Sequence, residues 1–196
     1  MNRWSFTPGI FILMVVISAF LIKEVIHLNT LNTEMRNAFK ETTWRILHSS
    51  LEEIIEGIEQ VVSASGSDAK SQVGTGLALA EGAIATISRI RLEDRLDKIQ
   101  PVAWYQSNDI SYVIQVLERG WTALRSERYK LTTVDAKDLG NYTKQWKKVI
   151  EDLRIVEAFC ENALFNTEGE KSNLWETGHR AVRELDQFFS SLKEGS

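Results

Sequence analysis

Residues 6–22 form a run of seventeen residues without a charged side chain. From Ile10 onward every residue of this run except Ser18 is apolar. As an α-helix that rises about 1.5 Å per residue, the run would cover roughly 25 Å, which is close to the hydrocarbon thickness of a bilayer. The run therefore predicts a membrane-spanning helix, and this constrains where the other residues of the chain can act.

The sequence around this run favours an anchor that is kept over a signal peptide that is removed. Signal peptidase needs small residues at the −3 and −1 positions, just after the apolar stretch. The best match is cleavage before Ala19, inside the stretch itself, and residues 23–28 beyond it include no small residue. We therefore expect residues 1–24 to form an uncleaved signal anchor and residues 25–196 to form a separate domain.

The orientation of the anchor follows from the charges on its two sides. Arg3 and the terminal amine lie before the apolar run, whereas Lys23, Arg36 and Lys40 follow it, so the positive charges are close to balanced. A short tail with one arginine followed by an apolar run has the form of an export signal. We therefore predict that residues 25–196 lie outside the cytoplasm.

The composition is that of a folded chain rich in helix. Of the 196 residues 26% are charged and 43% are hydrophobic, which argues against disorder. The two prolines, Pro8 and Pro101, leave long stretches free to form helices. The net charge is −4 and no basic patch interleaves with aromatic residues, so we expect no nucleic acid partner. Cys160 is the single cysteine, which excludes a disulfide within the chain and a cysteine zinc site.

Apolar residues at intervals of three and four predict five helices after the anchor. We expect these helices at about residues 23–62, 69–99, 108–124, 139–163 and 173–192. The predicted fold class is all-α, with an N-terminal transmembrane helix that continues into an antiparallel four- to five-helix bundle.

Two of these helices have especially regular patterns. In the first, the three-four spacing starts at Leu28, passes Leu31 and Met35, and predicts one buried face along the whole helix. In the fourth, a strict heptad pattern extends from Leu139 to Ala163 and predicts a single uninterrupted helix with packing like that of a coiled coil.

The second helix combines small residues with an apolar stretch. Gly74, Ala78 and Gly82 are spaced by four, which predicts a close approach of a neighbouring helix along this stripe. Residues 73–87 are apolar enough to suggest a second membrane span, but Glu81 lies in their middle. Because a carboxylate is costly inside a membrane, we interpret this stretch as a packed helix of the bundle.

Two E-x-x-H pairs, Glu24 with His27 and Glu176 with His179, are the sharpest candidates for metal chemistry. Residues i and i+3 share one face of a helix, and di-iron bundles use two such pairs with two further glutamates. Two fixed letters often match by chance, however. The remaining histidine, His48, lies beside the apolar stripe and is interpreted as a packing or capping residue. We therefore expect no catalytic, cofactor or metal site, no cofactor and no enzymatic activity.

The six tryptophans divide into two groups. Trp121, Trp146 and Trp175 fall on the apolar faces of successive helices, so we interpret them as core residues. Aromatic residues outside such faces are enriched at protein interfaces. We predict a partner-contact surface at three aromatic residues that the periodicity does not explain: Trp44, Trp104 and Tyr105.

Three functions fit an N-terminal span followed by a helical bundle. This organisation resembles, in outline only, the ligand-sensing halves of bacterial membrane receptors. The first hypothesis is a membrane-tethered, non-enzymatic interaction module (an adaptor, accessory or assembly subunit) that contacts the lipid bilayer and a protein partner. The second is a ligand-binding sensor bundle that signals through a separate transducer. The third is a di-iron-type bundle enzyme.

Overall fold

The computed structural model describes residues 6–96, 108–131, 139–165 and 173–194, and within these ranges the backbone is helical with short turns and no strand. The helices are α1 (Phe6–Ser63), α2 (Ala69–Leu96), α3 (Asn108–Lys130), α4 (Leu139–Lys144), α5 (Lys147–Phe165) and α6 (Asn173–Glu194). The expectation of an all-α fold is confirmed for the described residues. Helix α2 packs on α3, α5 packs on α6, and α3 contacts both α5 and α6, so these helices form a bundle.

The chain divides into two compact units, Met1–Glu41 and Thr42–Ser196, and α1 has residues in both. In the first unit, apolar side chains of α1 are exposed, for example Met14 by 64% and Val25 by 65%. The described residues contain one helix that is long and apolar enough to cross a membrane, and it lies near the N-terminus. The sequence prediction of a membrane helix in this region is supported by length and composition.

Burial of α1 begins later than its periodicity predicts. Leu28, Leu31 and Met35 are 61%, 40% and 57% exposed, whereas Leu47 and Leu51 are fully buried. The expectation of a buried face from Leu28 onward is therefore wrong. Three-four spacing identifies an apolar face but does not say what covers it. The described residues of the first unit all belong to α1, so this unit supplies no second helix to cover the face.

The core of the second unit is built from one face of each long helix. Burying a leucine or phenylalanine side chain stabilises a fold by roughly 1.5–3 kcal/mol relative to leaving it exposed. The turn between α1 and α2 covers residues 64–68, where Gly66 adopts a φ of 77° that glycine tolerates without steric cost. The fully buried core includes residues that the three-four spacing identified: Leu51, Leu77, Leu117, Leu153 and Phe189.

The predicted fourth helix is interrupted in the structure. Helices α4 and α5 are separated by a turn in which the amide of Trp146 donates to the carbonyl of Thr143 at 3.2 Å. The expectation of a single uninterrupted helix is therefore wrong. The hydroxyl of Thr143 also donates to the carbonyl of Gly140 at 3.2 Å, and such local bonds compete with the helical ladder. The apolar face continues across the break, since Trp146 and Leu153 are both fully buried.

The close approach of α1 and α2 occurs at other small residues than the sequence predicts. A Cβ atom on Gly57 would lie 2.5 Å from the carbonyl oxygen of Gly76, so the two backbones meet there. A Cβ on Gly74 would meet the side chain of Leu131 at 3.7 Å, and one on Gly82 would have no described atom within 4 Å. The stripe predicted through Gly74 and Gly82 is therefore not the contact. Spacing by four shows that small residues share a face, but not which face meets the neighbouring helix.

Candidate functional site

Of the three residues predicted to contact a partner, the structure describes Trp44, while Trp104 and Tyr105 lie outside the described residues. Trp44 is partly buried on α1 and packs against the core. Its indole stacks on the imidazole of His48 with ring centroids 5.0 Å apart, and Phe165 of α5 meets it edge-on at 6.4 Å. Trp44 therefore has ring contacts on both α1 and α5. Its contact with a partner stays a prediction.

His48, which stacks on Trp44, also contacts two glutamates. Its Nδ1 lies 2.5 Å from Oε1 of Glu157 on α5, and its Nε2 lies 3.8 Å from Oε1 of Glu52, one turn further along α1. The side chains of His48, Glu52 and Glu157 are 41%, 64% and 23% exposed, so solvent reaches the group. We refer to these three residues as the His48 cluster.

The two carboxylates of the His48 cluster share a single basic partner. Within the described part of the chain, the ion pairs of Glu52 and Glu157 are with His48 and with no lysine or arginine. Another α1–α5 contact is different, because Glu59 pairs with the guanidinium of Arg154 at 2.8 Å. With a neutral imidazole the His48 cluster carries two negative charges, and such a group attracts a cation.

The sequence shows only half of the His48 cluster. His48 and Glu52 are four residues apart, and this spacing places both side chains on one face of a helix. Glu157 is 109 residues away from His48 and meets it only through the packing of α5 against α1. The interpretation of His48 as a packing residue is therefore incomplete, because the imidazole packs on Trp44 and also joins two carboxylates.

The two E-x-x-H pairs do not take part in this cluster. Glu24 and His27 lie in the first compact unit, whereas Glu176 and His179 lie on α6 in the second. The ring of His179 packs against those of Phe159 and Trp175, with centroid distances of 5.2 and 5.1 Å. Among the described residues, the His, Cys, Asp and Glu side chains whose ligand atoms lie within 4.8 Å of one another are those of the His48 cluster.

Cys160, which lies within the heptad stretch 139–163, is a core residue. Its side chain is fully buried on α5. Burial raises the pKa of the thiol well above its ordinary value, and the negative charge of Glu157 adds to the rise. Because the thiolate is the nucleophilic form, a thiol that stays protonated is a poor nucleophile.

A buried glutamate, Glu127, and its lysine partner link α3 to α6 in the bundle. The carboxylate of Glu127 is nearly buried and accepts a hydrogen bond of 3.1 Å from Nζ of Lys130. The same ammonium donates to the carbonyl of Leu192 at 3.1 Å, close to the end of α6. Burial raises the pKa of Tyr142, and the charge of Glu127 raises it further. These contacts satisfy a buried carboxylate and join helices, so we interpret the group as structural.

The three tryptophans predicted as core residues differ in how deeply the structure buries them. Trp146 is fully buried, and Trp175 is partly buried against the core. Trp121 is 36% exposed, and the guanidinium of Arg125 lies 5.4 Å from its ring centroid. The core interpretation of Trp121 is therefore wrong. An indole is wide enough to reach the edge of a buried face, where a cation on the next turn can cover its ring.

An open groove lies between α5 and the first turns of α6. Its volume is about 400 Å³, and it opens broadly to solvent. The groove is lined by Arg154, Ile155, Ala158, Asn173, Leu174 and Thr177.

Comparisons of the chain with protein-family models, with curated proteins and with solved structures gave no match. Three features of the chain bear on its function: the exposed apolar part of α1, the aromatic contacts of Trp44, and the His48 cluster.

Proposed function

We propose that this chain is a membrane-tethered, non-enzymatic interaction module, such as an adaptor, an accessory protein or an assembly subunit. The observation that carries the proposal is the exposed apolar part of α1. Ile17, Phe20 and Ile22 are each at least half exposed, at 50%, 60% and 59%. A continuous apolar surface of this kind is stable when lipid covers it and costly when water does. A helix that is anchored in this way holds the chain at a membrane.

In this proposal residues 1–24 stay attached as an uncleaved anchor. Residues 25–196 form the interaction domain on the outer side of the membrane, and this domain contains the antiparallel bundle of four to five helices. The orientation is supported by the positive charge of Arg3 just before the apolar run, the arrangement found in an export signal. A reporter that is active only outside the cytoplasm, fused after Ser196, should be active. A silent reporter on a well-expressed fusion would contradict this orientation.

The partner-contact surface is proposed at Trp44, Trp104 and Tyr105. Support comes from the setting of Trp44, whose ring is held by stacking on His48 and by the edge contact with Phe165. An aromatic side chain that is already ordered loses little conformational freedom when it binds a partner. Such anchors supply much of the binding energy at protein interfaces.

Photo-crosslinking in intact membranes tests the contact. A photoreactive amino acid replaces Trp44 in one full-length variant and the exposed Gln187 of α6 in a matched control. We expect a discrete crosslinked protein product at position 44 and none at position 187. The same product at both positions, or none at position 44, would contradict the proposed surface while leaving the membrane attachment to be judged separately.

A ligand-binding sensor that works beside a separate transducer is the second candidate. The observation that favours it is the groove of about 400 Å³ between α5 and α6, which is lined by Arg154 together with apolar residues such as Ile155 and Leu174. A ligand that binds the folded chain must raise its melting temperature. If Leu174→Asp, which places a charge in the groove, leaves such a rise unchanged, the groove is not the ligand site.

A further inference from the structure

The geometry of the His48 cluster points to a metal site that is independent of membrane attachment. We propose that the cluster binds one divalent transition metal ion, with Nε2 of His48 and the carboxylate of Glu52 as ligands. Glu157 acts as the positioning residue, because it accepts a hydrogen bond from Nδ1–H of the same imidazole. Water molecules complete the coordination on the exposed side of the cluster.

The distances suit this assignment. Nε2 of His48 and Oε1 of Glu52 are 3.8 Å apart. Two donors of a tetrahedral zinc ion, bound at about 2.0–2.2 Å each, lie roughly 3.3–3.6 Å apart. A small rotation of the Glu52 side chain, which is 64% exposed, closes the difference. The two ligands need no rearrangement of the backbone, because residues i and i+4 share a helix face.

The contact between His48 and Glu157 fixes the imidazole for this role. A histidine that binds a metal through one ring nitrogen usually donates the other N–H to a carboxylate, and this orients the ring. Nδ1 of His48 faces Oε1 of Glu157 at 2.5 Å, which leaves Nε2 toward Glu52. Trp44 stacks on the same ring at an interplanar angle of 19°, so two neighbours hold its plane.

The charge of the cluster also calls for a cation. Neither carboxylate has a lysine or arginine ion pair within the described residues. A divalent ion would offset the two negative charges that remain with a neutral imidazole. The mixed nitrogen and oxygen donors favour zinc and its neighbours in the first transition row over magnesium or calcium, which prefer oxygen ligands.

Bound metal would connect two helices of the second unit. The ligands lie on α1, and the positioning carboxylate lies on α5. An ion that binds only the folded arrangement stabilises it by mass action. For a chain of this size, a zinc concentration about 100 times the dissociation constant should raise the melting temperature by roughly 5–10 °C.

The test uses the full-length chain in detergent, purified without a histidine tag and treated with a chelator. Zinc is titrated by calorimetry, cobalt is titrated by its visible absorption, and melting temperatures are measured with and without zinc. We expect saturable binding of one ion. His48→Gln should abolish it, and Glu52→Gln should weaken it by about 10-fold or more. Glu157→Gln should weaken zinc binding by roughly 10- to 100-fold. Its melting temperature in chelator should stay close to that of the unaltered chain.

Two controls separate this site from other metal binding. His179→Gln alters the second E-x-x-H pair, and His27→Gln alters the first. Because neither histidine belongs to the His48 cluster, both variants should bind zinc like the unaltered chain. Equal binding by the His48→Gln chain, or no saturation up to about 1 mM zinc, would overturn the proposal. A pH-dependent melting temperature that requires His48 but is not changed by metal would assign the cluster to proton binding and would equally overturn it.

Discussion

Gly57 on α1 and Gly76 on α2 face each other so closely that a Cβ atom on Gly57 would lie 2.5 Å from the carbonyl oxygen of Gly76. This close approach lets the backbones of the two helices meet. A third small residue, Ala80, lies beside the crossing, with its amide 2.9 Å from the same Cβ position. The packing of α1 onto α2 therefore requires glycine at this point, because a side chain there would clash with the facing backbone.

Gly57→Ala should destabilise the folded chain. Overpacking costs about 1–3 kcal/mol and exceeds the gain of roughly 0.5–1 kcal/mol in helix propensity. Gly82→Ala is the matched control, since its Cβ would meet no described atom within 4 Å. The control should gain about 0.5–1 kcal/mol. Thermal unfolding followed by circular dichroism compares the two, and equal melting temperatures would show that the crossing is looser than described.

Lys130→Met should destabilise the bundle by about 1–3 kcal/mol, because the buried carboxylate of Glu127 loses a charged hydrogen-bond partner. The hydrogen bond from Lys130 to the carbonyl of Leu192 is lost as well. Adding Glu127→Gln to the same chain should recover part of the loss, since an amide is less costly to bury than a carboxylate. A double-mutant cycle measured by chemical unfolding tests this, and strictly additive effects would contradict the coupling.

Asp152 should make the folded chain less stable as the pH rises from about 4 to about 6. Burial and then the nearby charge of Glu184 raise the pKa of Asp152 from 3.8 to about 6. Between these values the folded state binds more protons than the unfolded state, so the free energy of unfolding falls as the pH rises and stays lower above pH 6.

Asp152→Asn should remove this pH dependence and raise the free energy of unfolding at pH 7 by at most about 3 kcal/mol. Unfolding measured at pH 4, 5, 6 and 7 for both chains gives the comparison. The ion pair of Lys148 with Glu184, at 2.6 Å, is kept in both. If the variant has the same pH slope as the unaltered chain, another group is responsible.

Trp146 and Trp121 should respond very differently to substitution. Trp146 is fully buried, and Phe188 meets it edge-on with ring centroids 4.9 Å apart, so Trp146→Ala should cost about 3–5 kcal/mol. Trp121 is 36% exposed beside Arg125, so Trp121→Ala should change stability much less. Comparable losses in the two variants would mean that Trp121 is buried after all.

The sequence was sufficient for most elements of the fold because periodicity reports a helix face directly. Leu77 and Leu117 are buried where three-four spacing places them, and residues 64–68 form the turn between α1 and α2. Periodicity does not report what covers a face. Leu28 and Leu47 fit the same stripe of α1, yet one is 61% exposed and the other is fully buried.

The candidate metal site could be predicted only in part. The spacing of His48 and Glu52 is local and visible in the sequence. Glu157 joins them through the packing of α5 on α1, a contact between residues 109 positions apart that no local pattern encodes. The heptad pattern also does not predict the break before α5. A heptad pattern continues through Trp146 although the backbone forms a turn there.

The uncleaved membrane anchor is tested most directly by the mass of the chain that stays in membranes after an alkaline wash. We expect the chain of 22.3 kDa, with residues 1–24 still attached, to stay with the lipid. Release of the chain into the wash, or a chain in the membrane or the wash that begins at Ala19, would contradict an uncleaved anchor.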